Sequence, residues 1–489
     1  MMHPQDLRDK LERFWQISGR KIELIDNTYD WSQGSPVFTQ AGRYTSRGWT
    51  EWTEGFVYGS AVLQFDATGE SKFLEMARGY TVDRMAKHVT HMGVHDHGFN
   101  NVSTYGNLLR LMKEGKLENN EWERKFYELA LKCSGAVQAA RWTELPDGDG
   151  FIHSFNGPHS LFADTIRSCR SLALAHSMGH VLMGESDYVV SLLGRLVKHM
   201  IVTSRSIVYF GEGRDTYDIP GRVAHEAIFN IRNGSFRCPS TQQGYSPFST
   251  WTRGLAWIVT GFAELIEYFE LLDQEELAPY GGKGDLLDLA VRTARVTADF
   301  YLAYSASDNI PYWDTGAPGL AKMGDYLSKP ADPFNDYEPV DSSAAAIAAQ
   351  GLLRLGRHLG GFDIGTHIEN DRGGVSGVAV PGGGITRRKV SSPAGADADE
   401  GKRYFQAGIG IVNTLLSEPY LAAQDQSRTE HQGLLLHSIY HRPRGWDYIP
   451  EGGKIPFGES SMWGDYHLRE VALYVQRLVD GGEYYHFWP

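Results

Sequence analysis

The sequence predicts an all-α protein folded as an (α/α)6 barrel, a closed ring of helical hairpins with a cleft at one rim. Apolar residues recur at helical spacing over most of the 489 residues, whereas strand signals are few and short. The helices fall into about six pairs of roughly 40 to 60 residues each, which indicates a repeat architecture. An open superhelix would need polar capping repeats at its ends. The polar and aromatic motifs lie instead at helix starts and in connections, which favours a closed ring.

The helical pairs can be followed along the chain. The first turns at the segment DATGES, and the third turns at a similar MGES. The paired segments are 56–89, 105–142, 160–201, 254–304, and 342–359 with 402–422, and a last helix covers 460–479. The N-terminal segment 1–25 predicts an amphipathic helix and lacks the pattern of a secretory signal.

We expect a single catalytic domain over residues 1–489, with irregular inserts near 321–340 and 360–401. The second insert is rich in Gly, Ser, Pro and charge. This composition is typical of a linker or disordered loop, and the alternative is an ordered lid or subunit contact. Neither insert predicts a domain boundary, because helical pairing resumes after both.

Composition excludes several classes of partner. The formal net charge of −13 argues against nucleic acid and anionic membranes, so a polyanionic ligand would need local arginines or lysines. No apolar run approaches the roughly 18 residues of a membrane span. The three cysteines, Cys133, Cys169 and Cys238, lack metal-ligand spacing, so we expect reduced thiols and a cytoplasmic location. The oligomeric state is left open, a homo-oligomer included.

A histidine-rich stretch, HMGVHDHGFN, raises the question of a metal site. It contains His91, His95, Asp96, His97 and Asn100. The stretch has no HExxH frame and no cysteine, so we expect no metal. It then forms either a polar turn between helices or a setting in which neighbouring histidines hold Asp96 against a substrate.

Asp164 lies in a run of apolar residues, HSLFADTIRSCRSLALA. At a helix start it would serve as a cap or first-turn acid. A carboxyl beside apolar groups also has its pKa raised by desolvation, as a general acid near neutral pH requires. Asp96 would then supply the second carboxylate that glycoside hydrolysis commonly uses. The chain has no GxSxG elbow or P-loop that would indicate another chemistry.

The stretch QGYSPFSTWTRGLAW, from Gln243 to Trp257, gathers polar groups and flat rings at the mouth of a predicted helix. One interpretation is a polar loop that caps a core helix. The other is the wall of a carbohydrate cleft, in which Trp251 and Trp257 face a sugar ring and Arg253 presents its planar fork to a carboxylate. The 12 Trp and 25 Tyr fit either a large aromatic core or such a cleft.

Several motifs, read in order, resemble the unsaturated glucuronyl hydrolases, glycoside hydrolase family 88. They are WTEGF (52–56), HDHGF (95–99), ADTI (163–166), QGYSPFSTWTRGLAW (243–257), PYWDTGAP (311–318), DSSAAAIAAQGLL (341–353) and SSMWGDYHL (460–468). The resemblance spans about residue 45 to the C-terminus. It implies an (α/α)6 barrel that needs no metal or organic cofactor and acts on the anionic oligosaccharides left by polysaccharide lyases.

The resemblance also implies a reaction and a set of site residues. Family members remove a 4,5-unsaturated uronic acid from the non-reducing end by hydrating its enol ether. One aspartate protonates C4 and takes a proton from the water that adds at C5; the hemiketal then opens and the glycosidic bond is lost. By position, Asp164 matches this acid/base and Asp96 matches the second aspartate, with His95 beside it. The matched residues around the sugar and its carboxylate are Gln243, Arg253 and Trp257.

The chain departs from the family around this pocket. Where members carry a histidine in a T-x-H context, this chain reads DTYD (215–218), which leaves His225 or His199 to fill the role. His97 follows Asp96 where an apolar residue is usual. The lysine-rich loop of some members is reduced here to Lys454.

These departures bear on the substrate more than on the fold, and they leave rival functions open. On the same barrel, the chain would act on saturated β-glucuronides or on unsaturated rhamnogalacturonides. A non-catalytic carbohydrate-binding toroid would have no need of the two aspartates. An epimerase-like barrel would be expected to use histidine bases in their place.

Overall fold

The computed structural model describes residues 1–48, 51–360, 396–422 and 430–488, and most of them are helical. The helices are α1 Arg8–Thr28, α2 Glu54–Thr68, α3 Ser71–Arg84, α4 Ala86–Val89, α5 His97–Asn101, α6 Asn107–Lys113, α7 Glu121–Ala140, α8 Thr165–Ser168, α9 Arg170–Ser177, α10 Leu192–Ile207, α11 Thr252–Leu271, α12 Gln274–Leu277, α13 Lys283–Ala303, α14 Ser342–His358, α15 Ala396–Leu415 and α16 Met462–Asp480. A π-helical turn over Val102–Gly106 joins α5 to α6.

The strands are short and antiparallel. They are β1 Phe38–Gln40, β2 Arg43–Thr45, β3 Trp142–Glu144, β4 Gly150–Ile152, β5 Ser160–Phe162, β6 Leu182–Met183, β7 Val189–Val190, β8 Glu226–Phe229 and β9 Phe236–Ser240. Three pairs are simple hairpins, and β5, β8 and β9 form a three-stranded sheet in that order. This sheet matters most for function, because β5 leads directly into Asp164.

The helices form two concentric rings. The inner ring runs α2, α5–α6, α8–α9, α11, α14 and α16, and α16 closes it by packing on α2. Helices α1, α3, α7, α10, α13 and α15 pack outside, each against the inner ring. The predicted (α/α)6 barrel is therefore confirmed.

The inner helices are covered on both sides and are built for close packing. On α14, every residue from Ser342 to Gly356 is buried. Small residues allow its neighbours to approach: a Cβ at Gly351 would lie 2.8 Å from the backbone of Thr260 on α11. The alanine-rich sequence of α14 thus sets the spacing of the inner ring.

A buried ion network crosses the middle of the barrel. Arg167 Nη2 lies 3.1 Å from Glu264 Oε1 and 2.8 Å from Glu470 Oε2, and Gln350 Nε2 donates to Glu470 Oε2 at 2.8 Å. Buried charges persist when they are paired and hydrogen-bonded. The network ties α8, α11, α14 and α16 together, and the Arg167 guanidinium lies 5.7 Å from the ring of Trp257.

The structure differs from the predicted third helical pair, 160–201. In place of two long helices, β5, the short helices α8 and α9, and the β6–β7 hairpin precede α10. Pairing of β5 with β8 overrides the helical pattern at the start of this segment, because Ser160, Leu161 and Phe162 align with residues 226–228. Tertiary pairing of this kind cannot be read from local periodicity.

The two inserts have different outcomes. The insert near 321–340 is ordered without long helices: Glu338 accepts hydrogen bonds from Trp313 Nε1 and Gly319 N, both at 2.8 Å. Most of the insert near 360–401 lies outside the described residues, and α15 begins at Ala396. A single domain over 1–489 stays a prediction. None of the described helices is long and apolar enough to cross a membrane.

Candidate active site

One rim of the barrel contains a cleft with about 750 Å³ of open space. The segments that precede the inner helices α5, α8, α11 and α16 line it, because the chain enters these helices from the same rim. All of the predicted site residues lie on its wall: Asp96, Asp164, His95, Gln243, Arg253, Trp251 and Trp257. Their individual roles stay predictions.

The two aspartates each stand immediately before a helix without capping it. Asp164 precedes α8 and Asp96 precedes α5, and neither side chain makes a cap hydrogen bond. Asp164 thus occupies the N-cap position of α8 that the sequence allowed, but its side chain does not cap the helix. Both carboxyls are almost fully buried, at 9% and 7% exposure, so their chemistry is decided by the cleft and not by bulk water.

The loop that carries His95 and Asp96 is held by hydrogen bonds with side chains of α7 and α8. Ser168 Oγ accepts from Gly98 N at 3.0 Å and donates to the His95 carbonyl at 2.5 Å, and Gln138 Nε2 donates to the same carbonyl at 2.8 Å. A Cβ at Gly98 would lie 1.9 Å from the Ser168 carbonyl oxygen. Only glycine permits this approach of α5 to α8, which sets the distance between the two aspartates.

His95 lies between the two carboxyls. Its Nε2 is 3.2 Å from Asp164 Oδ1 and 3.8 Å from Asp96 Oδ1. Its Nδ1 is buried without a hydrogen-bond partner in the described part of the chain. In this geometry the Nε2–H of His95 donates to Asp164, and the ring is positioned to share a proton with either aspartate.

The electrostatics of the two aspartates differ in direction. Burial raises the pKa of Asp164, but the hydrogen bond and charge of His95 outweigh it and leave that pKa below its usual value. Burial keeps the pKa of Asp96 above its usual value, against the opposing charge of His95. The pKa of His95 is raised, because the neighbouring carboxyls outweigh its burial. The expectation that apolar neighbours raise the pKa of Asp164 is wrong, since it left His95 out.

Of the two histidines that the sequence left open, the structure brings His225 close to Asp164. The Ala163 N–H donates to the His225 carbonyl at 2.9 Å, so pairing of β5 with β8 puts His225 beside Asp164. Its Nδ1 lies 3.0 Å from Gln242 N and 3.3 Å from Gln243 N.

Burial lowers the pKa of His225 to about 4, and its Nε2 has no partner in the described chain. The other candidate, His199, accepts from Ile152 N at 3.1 Å and has a structural role in α10. Only strand pairing distinguishes the two, because the sequence around His225 carries no family signal.

Both terminal nitrogens of Arg253 are hydrogen-bonded to the protein. Nη1 lies 2.7 Å from Asp341 Oδ2 and also donates to the Ile439 carbonyl. Nη2 donates to Gln243 Oε1 and to the Tyr440 carbonyl, both at 2.9 Å. The side chain is 1% exposed. Arg253 thus orients Gln243 and fixes the 439–440 segment, and its predicted contact with a substrate carboxylate stays a prediction.

The aromatic wall is wider than the sequence indicated. Trp251 and Trp257 are each 2% exposed and pack mostly on protein rings, with Trp251 against His225 and Trp257 against Phe99. Rings that the sequence analysis did not name complete the lining: Trp52, Phe155, Phe162, Tyr440 and Trp446. Trp52 was present in the WTEGF motif, whereas the others have no local signal.

The mouth of the cleft lies along the segment 440–446, from which Tyr440, His441, Arg444 and Trp446 line it. Asp447 holds this segment by accepting from Tyr440 N at 2.5 Å and His441 N at 3.0 Å. A 3-10 turn over Arg442–Arg444 follows and ends at Gly445, whose φ of 63° favours glycine. The turn carries Arg444 to the rim, where its guanidinium lies 5.3 Å from the Trp446 ring.

The histidine-rich stretch has a structural explanation. His97 Nδ1 lies 3.0 Å from Ser134 Oγ and its Nε2 lies 3.0 Å from the His91 carbonyl, so this ring points away from the aspartates. Burial lowers its pKa to about 4, so it is neutral near physiological pH. Among the residues that the structure describes, no group of three or more His, Cys, Asp or Glu could hold a metal ion.

Sequence comparison finds relatives over nearly the whole chain. An unsaturated glucuronyl hydrolase of Bacillus sp. (strain GL1) is 25% identical over 453 residues, which cover 90% of each chain. An unsaturated chondroitin disaccharide hydrolase of Streptococcus pyogenes serotype M1 is 21% identical over 445 residues, which cover 89% of this chain and 84% of the other. No protein-family model matches the chain.

Solved structures show the same fold. An unsaturated glucuronyl hydrolase specific for heparin superposes with a TM-score of 0.65 at 18% identity, covering 96% of this chain and 97% of that one. The Bacillus sp. GL1 unsaturated glucuronyl hydrolase, responsible for the degradation of glycosaminoglycan, has a TM-score of 0.63 at 22% identity, with 95% and 97% coverage. The overall fold is shared across this distance in sequence.

Proposed function

Because this chain belongs to the unsaturated glucuronyl hydrolase family, we propose that it removes a 4,5-unsaturated uronic acid from the non-reducing end of lyase-generated oligosaccharides. The protein is a glycoside hydrolase. One observation carries the proposal most: His95 Nε2 contacts Asp164 at 3.2 Å and faces Asp96 at 3.8 Å in one enclosed cleft. A binding toroid has no need of two buried carboxyls that share a histidine.

The proposed chemistry is a hydration that ends in cleavage. Protonated Asp164 transfers its proton to C4 of the enol ether, and positive charge develops at C5. Water adds at C5 and gives a proton back to the Asp164 carboxylate, which restores the acid. The hemiketal at C5 then opens, and the hemiacetal left at C1 releases the second sugar as an alcohol. One water is consumed, and no oxidant or reductant is needed.

The residues around Asp164 control its protonation and position the water that adds at C5. Burial raises the pKa of Asp164, but His95 keeps it below its usual value. The carboxylate of a bound uronate would raise that pKa, because a nearby like charge disfavours the ionised form. Gln243, whose Oε1 is held by Arg253, presents its amide nitrogen to the cleft, and His225 adds a neutral ring beside Asp164.

A variant of His95 tests this arrangement through pH. In His95→Asn the donor that lowers the pKa of Asp164 is lost, so that pKa should rise. Activity that requires protonated Asp164 falls as pH rises through its pKa, so the alkaline limb of kcat/KM should move to higher pH. The profile of His159→Asn, a half-buried histidine outside the cleft, should match the wild type. An alkaline limb that stays in place or moves lower would separate His95 from the titration of Asp164.

We also propose that the reaction uses no metal ion. The ring nitrogens of His97 are engaged by Ser134 and the His91 carbonyl, and His95 Nε2 faces the aspartates. Exhaustive chelation should therefore leave kcat unchanged, and elemental analysis of active protein should find no stoichiometric transition metal. Activity that is lost to a chelator and restored by one specific ion would overturn this part of the proposal.

A screen of lyase products identifies the substrate. Disaccharides from hyaluronan, chondroitin, heparin, gellan, ulvan and pectin lyases would each be followed by loss of the enol-ether ultraviolet absorbance. We expect at least one to be consumed with release of its second sugar. Unsaturated rhamnogalacturonides belong in the same screen. A preference for them would show that the enzyme has the alternative substrate specificity that the sequence left open.

The location that we propose is the cytoplasm. Cys133, Cys169 and Cys238 are all free, and Cys169 is buried in the core. Free thiols without disulfides are typical of proteins in a reducing compartment. Short oligosaccharides that enter such a compartment would be the natural substrates of an exo-acting enzyme.

A further inference from the structure

We propose that Arg444 recognises a second negative charge, carried by the leaving sugar of the substrate. The inference rests on the proposed function and assigns a specificity-determining residue to it. The charge is either a sulfate ester or a carboxylate, because a guanidinium binds both through the same planar pair of N–H donors.

Burial along the cleft separates the place of the reacting sugar from that of the leaving sugar. Asp164, Asp96 and His95 are at most 9% exposed, so the ring that carries the double bond must enter to the bottom of the cleft. Arg444 lines the same cleft but is exposed. The second sugar of the substrate is linked to C1 of the first. It therefore extends toward the mouth of the cleft, where Arg444 lies.

Of the two arginines that line the cleft in the described chain, Arg444 has terminal N–H donors without a protein partner, whereas the terminal N–H donors of Arg253 are taken. Both terminal nitrogens of Arg253 are occupied by Asp341, Gln243 and two carbonyls. In the described ranges of the chain, the Arg444 guanidinium makes no hydrogen bond or ion pair, and its recorded contact is the stacking on Trp446. Lys454, which lies ten residues further along the chain, is instead paired with Asp336 at 2.6 Å.

The mouth is built to hold this cation in place. Trp446 has the Arg47 guanidinium 5.0 Å from its ring centroid and the Arg444 guanidinium at 5.3 Å, and Arg47 Nη2 donates to the Trp446 carbonyl at 3.3 Å. Cation–π contacts of this kind restrict a long side chain without using its N–H donors. The result is a local positive edge on a protein with a net charge of −13.

Local recognition is required because the whole protein repels anions. At this net charge, long-range steering of a doubly anionic disaccharide is unfavourable. A direct charge-assisted contact at the mouth offsets that repulsion only for substrates with a charge on the leaving sugar. Arg444 would thus set preference among lyase products and leave the chemistry at Asp164 unchanged.

The test compares Arg444→Ala with a matched control, Arg442→Ala, on paired substrates. Arg442 lies in the same 3-10 turn but does not line the cleft. One pair is the unsaturated chondroitin disaccharide with and without a sulfate on its second sugar. The other is a pectin-derived unsaturated disaccharide whose second sugar carries a free carboxylate or its methyl ester. The charged member is the larger one in the sulfate pair and the smaller one in the carboxylate pair, so the two pairs separate an effect of charge from one of size and a sulfate from a carboxylate.

Arg444→Ala should lower kcat/KM at least about fivefold on the charged member of one pair and less than about twofold on the neutral member. Arg444→Lys should recover part of the loss, and Arg442→Ala should change neither. Equal losses on both members, or no loss on either charged member, would overturn the inference.

A binding measurement keeps this test separate from the proposed reaction. Calorimetry with Asp164→Asn protein compares the affinity for the charged and neutral members, with and without Arg444→Ala. A charge preference that disappears with Arg444 supports the inference even if turnover is absent. Absence of turnover by the wild-type protein on every unsaturated substrate would instead count against the proposed function.

Discussion

Asp164→Asn is expected to lower kcat by at least about 10²-fold, the lower end of what a general acid–base group contributes. Asparagine keeps the shape of the side chain but cannot carry the proton that C4 must receive. The side chain makes no cap hydrogen bond to α8, so we expect little change in the unfolding midpoint. Steady-state kinetics on an unsaturated disaccharide and thermal melting measure the two effects.

Asp218→Asn is the matched control for this variant. Asp218 pairs with Arg222 at 2.6 Å outside the cleft, so its replacement should leave kcat close to the wild-type value. An Asp164→Asn protein that keeps near-normal turnover would remove Asp164 from the mechanism. A folded variant with strongly reduced kcat and an intact control would support its role in proton transfer.

Arg253→Ala is expected to destabilise the fold by about 3–5 kcal/mol, the usual cost of removing one partner of a buried ion pair. Its partner Asp341 is fully buried, and the pair lies 2.7 Å apart. The variant leaves that carboxylate with Ser343 and the Ile439 N–H as hydrogen-bond donors but without a cation. Urea unfolding measures the loss directly.

One further variant and one modified substrate separate a stabilising role of Arg253 from a contact with the substrate. Adding Asp341→Asn to Arg253→Ala removes the unpaired charge, so part of the stability should return. A substrate whose uronate carboxylate has been reduced to the alcohol tests binding: a positioning role for Arg253 predicts similar losses on the acid and the alcohol. A stable Arg253→Ala protein that fails only on the acid would show that Arg253 binds the carboxylate.

The fold was predictable because its determinants are local. Helical periodicity, paired spacing and the alanine-rich run of α14 are all visible in the sequence, and they correspond to the two rings of helices. The third pair was not predictable, because β5 forms through its partner β8, more than sixty residues later.

The candidate site was predictable as a set of residues and less so in its electrostatics. The motifs bring Asp96, Asp164 and Gln243 to one cleft because each precedes an inner helix at the same rim. The direction of the Asp164 pKa depends on the 3.2 Å contact with His95, and the engagement of Arg253 depends on Asp341. Contacts between distant segments have no trace in local composition, and for the same reason His225 was left unresolved.

The central claim is that cleavage proceeds through the C4–C5 double bond. Its most direct test offers the purified protein two disaccharides that differ only in that bond, one with an unsaturated uronic acid and one with the saturated uronic acid. The account predicts loss of the enol-ether absorbance in step with release of the second sugar from the unsaturated substrate, and no release from the saturated one. Release of the second sugar from both at similar kcat/KM would mean that the enzyme attacks the anomeric carbon, which would contradict the account.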